Sequence, residues 1–260
     1  MKAIQFHEAG GPEVLQYDEV PVPEIGPGEV LVRVHAVGIN PPDWYLREGM
    51  KVMPAEMRPV LEFPLIPGTD MSGVVQAVAP DVRLVHQPVP ITPEMTVLVN
   101  GAAGGVGHIA VQLAKWKGAH VIAVASSRHE QFLRRLGADE FIDYTTTRAA
   151  DVVSGVDLVI DTVGGPDSSR FLTVLKRGGT MLPVFFAQYD PEETARLGIT
   201  VSNIQVRSNG PQLAEIGPLF DEGKLQVGVD STYPLSEAGS AHTRAAQGHI
   251  QGKIVLTVVS

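Results

Sequence analysis

The sequence predicts an α/β protein: a doubly wound parallel-sheet domain joined to a smaller, mostly antiparallel β domain. Three observations predict it. Beyond residue 95, short apolar runs alternate with amphipathic segments. Ahead of them, strand-like segments are punctuated by Pro/Gly turns, and a proline-spaced stretch separates the two textures.

Residues 1–91 supply the first texture. MKAIQFH, VLQYDEV, EVLVRVHAVGI and SGVVQAVAP alternate or run apolar with β-branched residues, and EIGPGEV and LIPGTD are turn signals. An antiparallel barrel or sandwich is expected. Between two of these strands, PPDWYLREGM predicts a short Pro-led helix with Asp43 near its start, where negative charge suits the helix dipole. VHQPVPITP, with Pro88, Pro90 and Pro93, predicts a semi-rigid extended strap.

Residues 92–225 supply the second. TVLVNG reads as a strand, and VGHIAVQLAKWKG as a helix with Val106, Ile109, Ala110, Leu113 and Ala114 on one face. Strand HVIAVAS, helix HEQFLRRLG and strands EFIDY and VDLVIDTVGG follow, then helix DSSRFLTVLKRGG and strands TMLPVFF and TVSNIQV. Fully apolar strands joined by amphipathic helices predict a parallel sheet covered on both faces. In residues 226–260 a helix begins near Ser236, and a last strand, KIVLTVV, returns to the first domain.

Of 260 residues, 44% are hydrophobic and 19% charged, a globular balance with room for a sizeable core. The formal net charge of -9 and the lack of clustered Lys and Arg argue against nucleic acid or an anionic membrane surface as partner. No run approaches the ~18 apolar residues of a membrane span. The opening MKAIQFHEAGGPEVLQ turns acidic before a signal-peptide core could form. A soluble, cytoplasmic protein is expected. There is no cysteine, which removes disulfides, thiolate nucleophiles and Cys-containing zinc sites. The eight histidines form no HxxxH or HExxH pair, and no metal is predicted.

The stretch NGAAGGVGHIAVQLAKWKG places a glycine-rich turn between a strand and a helix N-terminus, where unsatisfied N–H groups and the helix dipole favour phosphate. Against G-x-G-x-x-G, Gly104 and Gly107 fall on the second and third glycines, and Ala102 on the first, with Gly101 just before it. A register from Gly105 ending at Ala110 also fits, but the first puts the turn directly after TVLV. The cradle is then Ala103, Gly104, Gly105, Val106 and Gly107. At the end of the next strand, where a carboxylate would select NAD, stand Ala125, Ser126, Ser127 and Arg128. Small hydroxyls and a cation favour NADPH, with Arg128 on its 2′-phosphate. A purely structural turn and a solvated Arg128 are the competing readings.

AAGGVG, VIAVASS, LGADEFIDY and VDLVIDTVGG resemble the zinc-free quinone oxidoreductases of the medium-chain dehydrogenase/reductase superfamily. GEVLVRVHAVGINPPDWYLREG and FPLIPGTDMSGVV resemble that family's GroES-like catalytic domain, and GHIQGKIVLTV its last helix and strand. The resemblance implies a Rossmann-type domain, a homodimer, and hydride transfer from NADPH to a quinone or an α,β-unsaturated carbonyl. Where zinc-bearing relatives carry a Cys and a His-Glu pair, this chain has Asn40, and Thr69 with Asp70. The resemblance also implies Asn40, Asp43 and Tyr45 as catalytic-cleft residues. An Asx turn, a helix-start Asp and a packed Tyr are the alternatives. It puts Tyr144 by the adenosine phosphate, Thr162 and Val163 beside the cofactor, and Phe185 near the nicotinamide.

One departure stands out. The family interposes several dozen residues between SGVVQAVAPDVR and TVLVNG, a segment apparently missing here between about residues 84 and 92. Its loss predicts missing strand partners and one cleft wall fewer. An NADPH-binding protein with little or no catalysis, and a trans-acting enoyl-thioester reductase, are therefore the rival functions.

Overall fold

A computed structural model describes residues 1–27, 29–78, 91–202 and 210–258, and the chain divides into two units, Met1–Arg83 with Val229–Ser260, and Leu84–Gly228. Pro88, Pro90 and most of the stretch around the apparent internal loss lie outside the described residues.

In the first unit β1 (Lys2–Gln5) and β2 (Gln16–Glu19) form an antiparallel pair. The longer β3 (Val30–Gly38) leads into α1 (Pro41–Arg47), which Pro41 and Pro42 start and Asp43 supports from its first turn. After a loop, β4 (Asp70–Val78) pairs antiparallel with β3, Gly38 opposite Asp70.

The second unit alternates strand and helix. It runs through β5 (Thr96–Asn100), α2 (Gly107–Trp116), β6 (His120–Ala125), α3 (Glu130–Arg135), β7 (Glu140–Asp143), α4 (Ala149–Val152) and β8 (Val156–Asp161). Then come β9 (Leu175–Pro183), α5 (Pro191–Leu197), β10 (Thr200–Val201) and α6 (Gly210–Asp221). All six strands are parallel, in the order β10-β9-β8-β5-β6-β7. The period of two along β5 explains the double-sided core: Val97 and Val99 pack with Val121, Ala123 and Leu133, whereas Leu98 packs with Val124, Phe171 and Met181. Strand order reverses between β5 and β8, the switch point at which such sheets open a crevice at their carboxyl ends.

The chain then returns to the first unit with β11 (Val229–Pro234), α7 (Ala238–Ala246) and β12 (Lys253–Thr257). β12 pairs antiparallel with β3 and parallel with β11, so the sheet order is β11-β12-β3-β4. Ile4, Ile39, Ala241, Ala245, Ile254 and Leu256 form its core.

Two expectations need correcting. No closed barrel or sandwich forms among the described residues. The described residues give a four-stranded sheet and a separate two-stranded pair, too few strands for closure, and among them β4 is paired on one side only, with Met71, Val74 and Val75 exposed. DSSRFLTVLKRGG is not a helix but a 3-10 segment, Ser168–Val174, running into β9. Its Gly178 sits at φ +84°, outside helical space, and Leu175 already pairs with Val156. Of TVSNIQV, Thr200–Val201 is strand, and residues 203–206 lie outside the described residues.

Candidate functional site

The turn after β5 shows why its glycines are needed. Gly101 takes φ +71°, and a Cβ there would sit 2.5 Å from Thr162 Oγ1 and 2.7 Å from Val163 Cγ2. The tight-turn role therefore belongs to Gly101, one residue before the position the spacing assigns to it. Ala102 is wholly buried and its N–H donates to Val124 O at 3.1 Å, pinning the turn to β6. Gly107 opens α2 so close to the turn that a Cβ would lie 2.2 Å from Gly101 O. Gly104 N–H closes the turn on Gly101 O at 3.0 Å. Ala103 is buried, Gly105 partly so, and Val106, half exposed, gives α2 no side-chain cap. An uncapped helix N-terminus behind a glycine turn leaves N–H groups for an anion.

Buried side chains hold this turn from behind. His108 has no exposed surface; its Nδ1–H donates to Gly104 O at 2.7 Å and its Nε2 accepts the Gly228 N–H at 3.2 Å, which fixes the neutral tautomer. One turn along α2, Gln112 donates to Gln226 O and accepts the Gln226 N–H.

Across the switch point, β8 ends in Asp161, also without exposed surface. Its carboxylate accepts from Asn100 Nδ2 at 2.7 Å, from the N–H groups of Val163 and Gly164 at 3.1 Å, and from Ser168 Oγ at 2.5 Å. Four donors shape the loop that presents Thr162 and Val163. Thr162 Oγ1 donates to Asn100 O at 2.8 Å, and Val163 is exposed. Gly165 N–H reaches Phe186 O, and Phe185 stacks edge-on against Phe186 at 5.4 Å.

At the end of β6, Ser126 is extended and leads into a 3-10 turn, Ser127–His129. Arg128 is exposed, its Nε donating to buried His129 at 3.0 Å. Tyr144, just past β7, is half exposed. Asp143 beside it is held below the usual carboxylate range, chiefly by hydrogen bonds from Thr145 and further by Ser127. Ser127 is thus engaged by a carboxylate that the β6 sequence does not reveal. A cavity of about 60 Å³ lined by Tyr144, Arg148 and Arg170 adds two guanidinium groups that spacing did not indicate.

In the first unit Asn40, Asp43 and Tyr45 come together around α1. Asp43 is buried, and its Oδ2 accepts the Asn40 N–H at 2.8 Å. Burial, the largest influence, raises its pKa. The Asn40 side chain is fixed at both ends: Nδ2 donates to Asp70 Oδ2 at 2.8 Å and Oδ1 accepts from Lys253 Nζ at 2.5 Å. Lys253 also reaches Asp70 Oδ2 at 2.9 Å. Burial alone would raise the Asp70 pKa, but hydrogen bonds from Lys253 and Asn40, with the ammonium charge, carry it below its ordinary value. Tyr45 packs edge-on to Trp44 at 5.6 Å, and burial, with the Glu48 charge, raises its pKa. Sequence reading missed Lys253 because it sits in an ordinary strand 213 residues from Asn40. Among the described residues, no three His, Cys, Asp or Glu side chains assemble as a metal site.

Two domain models match the chain: an alcohol dehydrogenase GroES-like domain over residues 26–93 and a zinc-binding dehydrogenase domain over residues 136–256. A chloroplastic quinone-oxidoreductase of Triphysaria versicolor is 30% identical in an alignment of 328 residues that covers 98% of both chains. Among solved structures, the quinone oxidoreductase of Coxiella burnetii has a TM-score of 0.85 at 29% identity, covering 100% of this chain and 99% of its own. A mycobacterial protein complexed with NADPH has a TM-score of 0.81 at 25% identity, covering 99% of this chain and 100% of its own. No helix among the described residues is long and apolar enough to cross a membrane.

Proposed function

Because the chain belongs to the zinc-free quinone oxidoreductase family of the medium-chain dehydrogenase/reductase superfamily, we propose that it is an NADPH-dependent reductase that delivers hydride to a quinone or an α,β-unsaturated carbonyl. The observation that carries this reading is the turn at Gly101–Gly107, whose tightest positions admit no side chain and which opens onto an uncapped helix. The cradle fits a pyrophosphate: Ala103, Gly104, Gly105, Val106 and Gly107 would hold it. Ser126, Ser127, Arg128 and Tyr144 would take the adenosine end, and Thr162, Val163 and Phe185 the remainder. The mycobacterial relative complexed with NADPH supports the choice of cofactor.

When bound, the reduced nicotinamide supplies the hydride. The side chains supply position and charge. Lys253 occupies the Asn40 oxygen and Asp70 takes one amide N–H, so an acceptor oxygen would draw on the second, which reaches Gly38 O only at 3.4 Å. The Lys253 ammonium stands beside that amide and offsets negative charge developing on the acceptor. Tyr45, its pKa raised, remains a donor rather than a base. Asp43 fixes the backbone at Asn40. Zinc independence is part of the proposal: a cation already bridges Asn40 and Asp70, where relatives place metal ligands, and thiolate is lacking. A cytoplasmic homodimer belongs to it as well.

The test is NADPH oxidation by purified protein against benzoquinones, naphthoquinones, alkenals and enoyl thioesters, with and without chelator. Turnover insensitive to chelator is expected; binding of NADPH without turnover of any acceptor would overturn the reading. A second reading, an NADPH-binding protein with little catalysis, is favoured by the alignment of 328 residues against a chain of 260 and by the edge of β4 that has no partner among the described residues. Preference for thioester acceptors would instead identify an enoyl-thioester reductase.

A further inference from the structure

Three loops leave the carboxyl ends of β5, β8 and β9, and a single buried residue, Asp161, is hydrogen-bonded to all three. Its Oδ1 accepts from Asn100 Nδ2, on the last residue of β5 before the glycine turn, and from the N–H groups of Val163 and Gly164. Its Oδ2 accepts from Ser168 Oγ, and its backbone oxygen accepts the N–H of Val184, the first residue past β9, at 2.8 Å. Among the described residues no Lys, Arg or His forms an ion pair with this carboxylate. Neutral donors alone offset the cost of burying it.

Further bonds run directly between the loops. The Thr162 N–H and Oγ1 both donate to Asn100 O, at 3.1 and 2.8 Å, and the Gly165 N–H donates to Phe186 O at 2.9 Å. Gly164, at φ +69°, lies so near Phe185 that a Cβ there would stand 3.0 Å from the Phe185 Cβ. The glycine turn has anchors of its own, because the Ala102 N–H donates to Val124 O, the Gly104 N–H to Gly101 O, and His108 to Gly104 O. Loosening Asp161 would therefore leave the phosphate cradle standing and release the loop 162–165, together with the stretch around Phe185 that packs on it.

We propose that Asp161 is a positioning residue: by clamping Asn100 to the loop 162–165 it holds the nicotinamide half of the site in register with the phosphate cradle, and it does so by geometry rather than by charge. With no exposed surface it touches no ligand itself. The inference rests on the NADPH reading of the site. Its test compares NADPH with adenosine 2′,5′-bisphosphate, which carries the adenosine end and no nicotinamide, by titration calorimetry on the full chain. Asn100→Ala removes one bond of the clamp and should weaken NADPH about 10-fold, the worth of one net hydrogen bond, while the bisphosphate stays within about two-fold. Ser168→Ala, which frees Oδ2, should show the same split. Asp161→Asn keeps a carbonyl oxygen for Asn100, Val163 and Gly164 and offers its amide to Ser168 Oγ, so it should bind NADPH nearly as the parent does. Equal loss of both ligands in the two alanine variants, loss of neither, or a loss of NADPH by Asp161→Asn as large as by Asn100→Ala would overturn the proposal. A parent chain that binds neither ligand would overturn the NADPH reading, and the proposal with it.

Discussion

Replacing Gly107 by alanine tests the glycine turn most directly. The added Cβ would lie 2.2 Å from Gly101 O, 2.8 Å from Ala102 Cα and 2.9 Å from Gly101 C, all backbone atoms, whereas ordinary contact begins at 3.4 Å. Relief requires about 1 Å of movement between α2 and the turn, and no flexible side chain is available to absorb it. Overpacking of this kind costs about 1–3 kcal/mol. The moving part is the helix N-terminus, so an anion bound there should also lose up to about 100-fold in affinity from an ångström of misplacement. Gly104→Ala is the informative contrast. Its Cβ would meet only Gly101 O, at 3.3 Å, which a few tenths of an ångström relieve. It should leave thermal stability within about 0.5 kcal/mol of the parent while placing a methyl group where pyrophosphate approaches the backbone. Fluorescence titration with NADPH and chemical denaturation of both variants separate the effects. Gly107→Ala should lose affinity and stability, Gly104→Ala affinity alone. A Gly107→Ala variant with unchanged denaturation midpoint and unchanged Kd would refute the reasoning.

Other outcomes follow from charge and protonation. His242 is depressed to about 4, first by burial and then by the Arg47 charge, so the unfolded chain binds a proton that the folded chain refuses between about pH 4 and 6.5. Stability is then fully present above pH 6.5 and declines by about 2 kcal/mol by pH 5. Denaturant melts at several pH values should show that slope, and His242→Gln should remove it. Arg128→Ala should raise the KM for NADPH roughly 10-fold and leave that for NADH little changed; equal effects on both cofactors would remove Arg128 from the 2′-phosphate. Lys253→Met should lower kcat about 100-fold with an alkenal while NADPH binds as before. A rate within two-fold of the parent would make the lysine merely structural.

Legibility in the sequence followed the range of the interaction. The parallel sheet was readable because TVLV, HVIAVA and VDLVID each carry the whole signature of a doubly buried strand within a few residues. The glycine turn was readable for a related reason, since a backbone that forbids a side chain writes glycine into the chain; only its first glycine was misplaced by one residue. Helix α5 was overlooked although Asp190 accepts the Glu192 N–H as its cap and Gly198 ends it in the left-handed region. DSSRFLTVLKRGG misled because Phe171, Leu172 and Val174 face the core with a spacing that suits a helix, while Gly178 and pairing with β8 decide otherwise. Lys253, Asp161 and His108 stayed hidden because their partners are supplied by the fold. Nothing near Lys253 in the chain announces Asn40, and nothing near His108 announces Gly228.

The imidazole of His108 has one further consequence. Its two nitrogens join Gly104, in the phosphate turn, to Gly228, the last residue before the chain leaves for β11. Ligation at the turn and the placement of that exit therefore share a thermodynamic linkage, and linkage is reciprocal. A change at Gly228 or Gln226 that never touches a nucleotide would be read out as nucleotide affinity, and a bound nucleotide would stiffen the exit by the same free energy.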